Sequence, residues 1–150
     1  MMYNGLKITI SFLSLICFFS MPVLAESVYQ TRVKVIQASK GPAHVDTGIQ
    51  DVVSEIRPVF KYTRFKVLKE KSMSLSKGRD GRLHLPGNRT LVIVPEGMKG
   101  NRIQYHIRID AKGKPVFQTG VMLRNNSSVT IGGPRASKGV LLLNIRGSAH

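Results

Sequence analysis

The sequence predicts a mainly β protein, an antiparallel sandwich or open barrel of about seven or eight short strands with one amphipathic helix near the N-terminus. Three observations predict this class. Apolar and polar residues alternate along several segments, turn-forming residues separate those segments, and a single segment places its apolar residues at helical spacing. The chain has 150 residues, of which 42% are hydrophobic, and this is enough for one domain with its own core.

Residues 1–25 have the three-part layout of a secretory signal peptide. A single positive charge is followed by an uncharged apolar run, residues 8–19, and then by small residues that end at Ala25, after which we expect cleavage. The run is shorter than the roughly 20 residues of a membrane-spanning helix, so an uncleaved anchor is the less favoured alternative. Cleavage removes Cys17, the one cysteine, and leaves residues 26–150 as a single exported domain, periplasmic or secreted, without thiol or disulfide.

The first elements after the signal peptide are a strand, a loop and the helix. The strand has apolar or β-branched residues at every second position: Tyr29, Thr31, Val33 and Val35. A loop with Gly and Pro follows over residues 40–47, and Asp46 is placed to cap a helix by accepting a backbone N–H. The helix is predicted from one apolar stripe, which Phe60 continues: Ile49, Val52, Val53 and Ile56.

Strands account for the rest of the chain. Turns are predicted where Gly, Pro, Asn or charged residues cluster, at 78–81, 86–87, 95–97, 112–114, 125–126 and 132–134. The last strand is predicted over residues 140–145, and its first four residues (VLLL) are apolar without alternation, so we expect a central strand that is buried on both faces. The segment that contains Lys66, Lys69 and Lys71 is the predicted edge strand, because charged side chains keep sheet edges from pairing with other chains.

Charge is the strongest feature of the composition. Lys and Arg number 23 against 8 Asp and Glu, which gives a formal charge of +15 and a long-range attraction for polyanions. The candidate anion-binding residues are Lys61, Arg64, Lys66, Lys69, Lys71, Arg135 and Lys138. The last two belong to segment 133–139, which we interpret as an inter-strand loop whose backbone amides also favour an anion. Export argues against nucleic acid as the natural partner, although Phe60 and Tyr62 lie among the first cations.

No catalytic or metal-binding motif stands out among the histidines and serines. His44 and Asp46 are two residues apart, and a solvated loop is favoured over a metal site there. His84 and His106 fall on polar strand positions and are expected at the surface, as potential neighbours in one sheet. The Gly-x-Ser-x-Gly elbow of α/β-hydrolases does not occur.

Two short C-terminal stretches resemble part of a known family. Residues 113–119 (GKPVFQT) and 125–133 (NNSSVTIGG) resemble a hairpin in the β-domain of outer-membrane secretins, where a strand with Thr is followed by a turn and an apolar strand ending in Gly-Gly. The resemblance implies hairpin geometry and an envelope context, but no pore, because the rest of a secretin is missing. The whole layout also resembles small exported β-rich proteins of Gram-negative bacteria, which implies no particular activity.

We predict a non-catalytic envelope binding or accessory module without a cofactor, whose basic surface contacts anionic lipid, lipopolysaccharide or another envelope polymer. One alternative is a protein-docking component of an envelope or secretion assembly, which would use an uncovered strand edge. Another is a small periplasmic hydrolase that pairs Glu70 with Glu96 or Asp110, since glycoside hydrolysis needs two facing carboxylates. The simplest alternative is that the charge only keeps the protein soluble.

Overall fold

The structure, a computed structural model, describes residues 20–150, and most of the predicted signal peptide lies outside the described residues. Residues 20–27 have no regular structure, so the first strand, β1 (Val28–Ser39), begins after the predicted cleavage point. The following elements are β2 (His44–Val45), α1 (Gln50–Ile56), β3 (Arg64–Ser76), β4 (Gly81–Leu85), β5 (Arg89–Lys99), β6 (Arg102–Ala111), β7 (Lys114–Arg124), β8 (Ser127–Arg135) and β9 (Val140–Ala149).

The strands form two sheets. The large sheet has five strands in the order β2-β3-β1-β9-β8, and the small sheet has four in the order β4-β5-β6-β7. Neighbouring strands are antiparallel except β2 and β3, which are parallel. The predicted mainly β class with one helix is confirmed, and residues 20–150 contain nine strands rather than seven or eight.

The main core lies between the two sheets, where burial of apolar side chains holds them together. The large sheet contributes side chains from its two central strands: Val33, Val35, Leu141, Leu143 and Ile145. The small sheet contributes side chains mainly from β5 and β6: Leu91, Ile93, Ile103, Ile107 and Ile109. These positions alternate along each strand, as the sequence predicted, because successive side chains point to opposite faces.

Helix α1 covers part of the outer face of the large sheet and makes a second core. Its apolar stripe packs with four residues of the sheet: Ile36, Ala38, Phe65 and Leu142. Strand β9 is therefore buried on both faces, since Leu141 and Leu143 face the small sheet while Leu142 faces the helix side. This confirms the prediction of a central strand and explains why the apolar run over residues 140–143 does not alternate.

Beyond its first two residues, strand β3 is the edge of the large sheet, as predicted for the lysine segment. It pairs with β1 along its length but with β2 only at its first two residues. One extra residue, Leu68, interrupts the pairing with β1 and forms a bulge. Beyond the bulge, Lys69 and Lys71 share a face with Met73 and Leu75, which pack in the main core toward the small sheet.

Asp46 does not cap α1, contrary to the prediction. Helix α1 begins after Ile49 and has no side-chain cap. The carboxylate of Asp46 instead accepts a hydrogen bond from the backbone N–H of Val67 at 2.8 Å. Asp46 does not reach the helix end because β2 pairs in parallel with β3. The backbone N–H of Asp46 donates to the carbonyl of Phe65 and keeps the residue beside β3.

Two predicted strand ends, at 95–97 and 132–134, are wrong: both are irregularities inside longer strands. Strands β5 and β8 continue to Lys99 and Arg135, because residues beyond each irregularity still pair with β6 or β9. The predicted turn at 125–126 forms, but the strands that flank it pair in different sheets, β7 with β6 and β8 with β9. The connection therefore crosses between sheets and does not make the hairpin that the resemblance implied.

Candidate anion-binding site

An open cleft lies at the end of the large sheet where β1 ends, β8 ends and β9 begins. Its volume is about 580 Å³. The cleft is lined by Ser39, Lys40, Tyr62, Arg135, Ala136, Lys138, Gly139 and Val140. These residues come from three segments of the chain, 39–40, 62 and 135–140, and the first and last meet because β1 and β9 are antiparallel partners, with Ala38 opposite Val140.

The loop between β8 and β9 is closed by one hydrogen bond and is held against the end of β1 by glycine geometry and a second hydrogen bond. Gly139 has a φ of +72°, and a Cβ at this position would collide with the carbonyl oxygen of Ala38. The backbone N–H of Ala136 donates to the carbonyl of Gly139 at 3.1 Å. The amide Nε2 of Gln37 donates to the carbonyl of Lys138 at 2.9 Å. The loop therefore has a fixed backbone from which its two cations project.

The cleft carries three cations and no acid. Lys40, Arg135 and Lys138 line it, and within residues 20–150 none of them forms an ion pair. All eight acidic residues of the chain lie in the described part, and none of them lines the cleft. Uncompensated charges of one sign around a concave surface raise the local concentration of counter-ions, so the cleft attracts anions.

The sequence-predicted cations separate into groups. Arg135 and Lys138 line the cleft. Arg64 lies beside it, because it is the partner of Ser39 and opposite residues of an antiparallel pair point to the same face. Lys61 is exposed and directly precedes the cleft residue Tyr62. These residues, with Lys40, form a basic end of the large sheet.

The other three predicted cations are placed differently. Lys66 is opposite Gln37 and close enough to Asp46 to help lower the pKa of that carboxyl. Lys69 and Lys71 point toward the small sheet, where their Nζ atoms donate to the carbonyls of His84 at 3.1 Å and Arg82 at 2.8 Å. Their hydrogen-bonding capacity is therefore partly used inside the protein.

Sequence reasoning missed Lys40 as a site residue and treated Tyr62 only as an aromatic neighbour of cations. Lys40 belongs to the Gly/Pro loop by composition, and nothing local relates it to Lys138. Lys40 reaches the cleft because β1, the first strand of the domain, pairs with β9, the last one. A single sequence shows that both segments are strands but does not show that they are partners.

His44 and Asp46 come together as a hydrogen-bonded pair. The distance from Nε2 to Oδ1 is 2.7 Å. The bond from His44, followed by the one from the N–H of Val67, holds the pKa of Asp46 below its ordinary value of 3.8. In the described part of the chain, no three His, Cys, Asp or Glu side chains group as metal ligands.

The groups considered for a hydrolase are not brought together as pairs. His84 is opposite Thr90, whose partner on the next strand is Asp110, whereas His106 is opposite Val94. The two histidines are therefore not neighbours in the small sheet. Asp110 is bound by Arg108 at 2.8 Å, and Glu70 lies on the other sheet, 3.5 Å from Arg32.

Comparisons of the chain with models of protein families, with curated proteins and with solved structures found no match. Among residues 20–150, no helix is long and apolar enough to cross a membrane.

Proposed function

We propose that this protein is a non-catalytic binding module of the bacterial cell envelope that contacts an anionic surface through its basic cleft. The observation that carries the proposal is the group of three cations around an open cleft that no carboxylate lines. Anionic lipid, lipopolysaccharide and other envelope polymers present phosphate or carboxylate groups to such a cleft. The signal-peptide pattern of residues 1–25 supports the envelope context.

The side chains of the cleft suit a diffuse anionic surface. Lysine is a compact charge on a flexible stem, so Lys40 and Lys138 are able to follow headgroups of varied geometry. Tyr62 has an apolar ring and a polar tip, as aromatic residues at membrane–water interfaces do, and Val140 and Ala136 add apolar surface. Each cation near an anionic membrane contributes about 1 kcal/mol of binding free energy.

Binding of residues 26–150 to liposomes tests the proposal, since this segment contains all the helices and strands of residues 20–150. We expect binding to anionic but not to zwitterionic liposomes, with affinity that falls steeply as salt rises. The combined substitution Lys40→Gln, Arg135→Gln and Lys138→Gln should weaken binding on the order of 100-fold. The matched control removes the same charge from exposed lysines of the small sheet, at Lys99, Lys112 and Lys114.

The outcomes distinguish liposome binding through the cleft from binding that depends only on net charge. Loss of binding in the cleft variant with retention in the control supports the proposal. Equal loss in both variants means that net charge alone governs binding, and it contradicts the cleft. Absence of binding to anionic liposomes even at low salt contradicts membrane contact.

Export is tested separately by identifying the N-terminal residue of the protein recovered from the cells that produce it. We expect the chain recovered from the envelope or periplasmic fraction to begin at Glu26. Cleavage there leaves β1 intact, because that strand begins at Val28. A chain that keeps residues 1–25 and remains with the cytosolic fraction contradicts the envelope assignment.

A protein-docking role is the second candidate, and one observation favours it. Strand β7 is an edge of the small sheet and exposes two apolar side chains, Val116 at 57% and Met122 at 45%. An unpaired strand edge is able to add a strand from another chain. If two copies pair through β7, sedimentation should detect a dimer that Val116→Lys with Met122→Lys dissociates, and a monomer at every concentration contradicts this pairing.

A further inference from the structure

The outer face of the large sheet has a polar half that α1 does not cover. Here Arg32 on β1 is the direct partner of both Ser72 on β3 and Arg146 on β9. Arg146 is in turn the partner of Ser128 on β8. Two arginines flanked by two serines therefore form one row across four strands.

A shallow cavity of about 200 Å³ lies on this row. Besides the two arginines, its lining includes the side chains of Gln30, Ser72 and Ser148. Gln30 and Ser148 are partners in the adjacent row, so their side chains point to the same face as the arginines. The cavity is thus surrounded by hydroxyl and amide groups rather than by apolar side chains.

The charges on this face are incompletely balanced. Like charges directly opposite in a sheet repel each other, and Arg32 and Arg146 occupy such positions. Glu70 lies 3.5 Å from Nε of Arg32, but the two side chains are about half exposed, at 45% and 54%. Within residues 20–150, Arg146 has no carboxylate within ion-pair distance. The same two arginines also line the next hollow along the face, together with Lys34 and Asp51. Nζ of Lys34 donates to the carbonyl of Gly48.

We propose that Arg32 and Arg146 together bind one phosphate group of a phosphorylated saccharide. A guanidinium presents a planar fork of N–H donors that matches phosphate oxygens in pairs, which a lysine does not. A phosphate between the two arginines would also relieve their repulsion. Ser72, Ser148 and Gln30 provide neutral groups suited to sugar hydroxyls. The hydroxyl of Ser72 accepts from Nε of Arg32 at 3.3 Å and keeps its own proton to donate, and the amide nitrogen of Gln30 is a further donor, since its oxygen accepts from Ser74. This site is separate from the basic cleft, which contains Tyr62 and apolar residues and is lined by none of the same side chains.

The test is a titration of the full ¹⁵N-labelled chain with glucose 6-phosphate, inorganic phosphate and glucose, at ionic strength held constant with sodium chloride. The side-chain Nε–H signals of the arginines are the readout. We expect saturable shifts at Arg32 and Arg146 with glucose 6-phosphate, weaker binding of inorganic phosphate and no shift with glucose alone. Arg146→Gln and Arg146→Lys should each weaken binding about tenfold or more, the second because it keeps the charge but loses the fork.

Two controls fix the location of the site. Arg124→Gln removes an exposed arginine of β7 and should leave the affinity unchanged. The triple cleft variant should also bind glucose 6-phosphate normally, so failure of the cleft proposal and failure of this one are distinguishable. Shifts without saturation, an unchanged affinity in Arg146→Gln, or equal affinity for inorganic phosphate and glucose 6-phosphate would overturn the proposal.

Discussion

The Nζ atom of Lys71 donates a hydrogen bond to the main-chain carbonyl of Arg82 at 2.8 Å and so joins the edges of the two sheets. Lys69 makes the same type of bond to the carbonyl of His84 at 3.1 Å. Both carbonyls belong to β4, the edge strand of the small sheet. The lysines therefore satisfy carbonyl acceptors on the edge of β4. They also place positive charge on the edge of β3, and this discourages pairing with other chains.

Replacing these two lysines should loosen the contact between the sheet edges. Lys69→Met with Lys71→Met keeps much of the apolar stem but removes both donors. We expect a loss of about 1 kcal/mol in the free energy of unfolding for each hydrogen bond, together with increased self-association through the freed edge of β4. Denaturant unfolding and light scattering measure the two effects.

A control double substitution, Lys99→Met with Lys114→Met, removes two exposed lysines whose Nζ atoms make no hydrogen bond within residues 20–150. It should change neither stability nor association by a comparable amount. Equal behaviour of the two double variants would show that Lys69 and Lys71 are ordinary surface lysines.

Gly139 should be indispensable for the geometry of the basic cleft. Gly139→Ala places a Cβ at a φ of +72° and against the carbonyl of Ala38. Gly113→Ala is a matched control, because Gly113 has a similar φ of +75° but no atom within 4 Å of the added Cβ. In both variants the strained backbone conformation should lower the free energy of unfolding by about 1 kcal/mol. Gly139→Ala should lower it further and should also lose liposome binding. Similar unfolding free energies in the two variants contradict the close approach of the loop to β1.

The pair of Asp46 and His44 should make stability depend on pH in the acid range. Because the pKa of Asp46 is lower in the folded protein than its ordinary value of 3.8, its ionised form stabilises the fold above that value. This contribution is lost as the pH falls through the lowered pKa. Asp46→Asn should therefore be less stable than the parent protein at neutral pH, and the difference should shrink below about pH 4.

Unfolding measured across pH, with Glu26→Gln as a control, tests this dependence. Glu26 precedes β1 and is exposed, so its substitution should not alter the pH profile. A difference between Asp46→Asn and the parent protein that persists unchanged into strong acid would contradict the assigned role of the carboxylate.

The elements that could be predicted from the sequence are those determined by local side-chain patterns. Alternation revealed the strands, and the unbroken apolar run over residues 140–143 revealed the strand that is covered on both faces. The edge position of the lysine segment followed from its charge. In each case the solvent exposure of a residue is fixed by its own strand, so a single sequence contains the information.

The remaining features depend on which distant segments pair. The bulge at Leu68 places Lys69 and Lys71 on the face toward the small sheet, and it follows from the pairing of β3 with β1. The loss of the helix cap at Asp46 follows from the two-residue pairing of β2 with β3. The assembly of Lys40 with Lys138 follows from the pairing of β1 with β9. Local propensity says nothing about these partners, so the cleft could be predicted only in part.

The buried hydroxyl pair between the sheets should show strong coupling. The Oγ1 of Thr31 and the Oη of Tyr105 are 2.8 Å apart in the core, and burial raises the pKa of Tyr105. Thr31→Val leaves the Tyr105 hydroxyl without this partner and should cost about 1–3 kcal/mol. Tyr105→Phe should cost less, because Oγ1 of Thr31 also donates to the carbonyl of Tyr29 at 3.4 Å. The double variant buries no unpaired hydroxyl, so its loss of unfolding free energy should be smaller than the sum of the single losses. Additive losses in a double-mutant cycle by denaturant unfolding would mean that the two hydroxyls do not depend on each other.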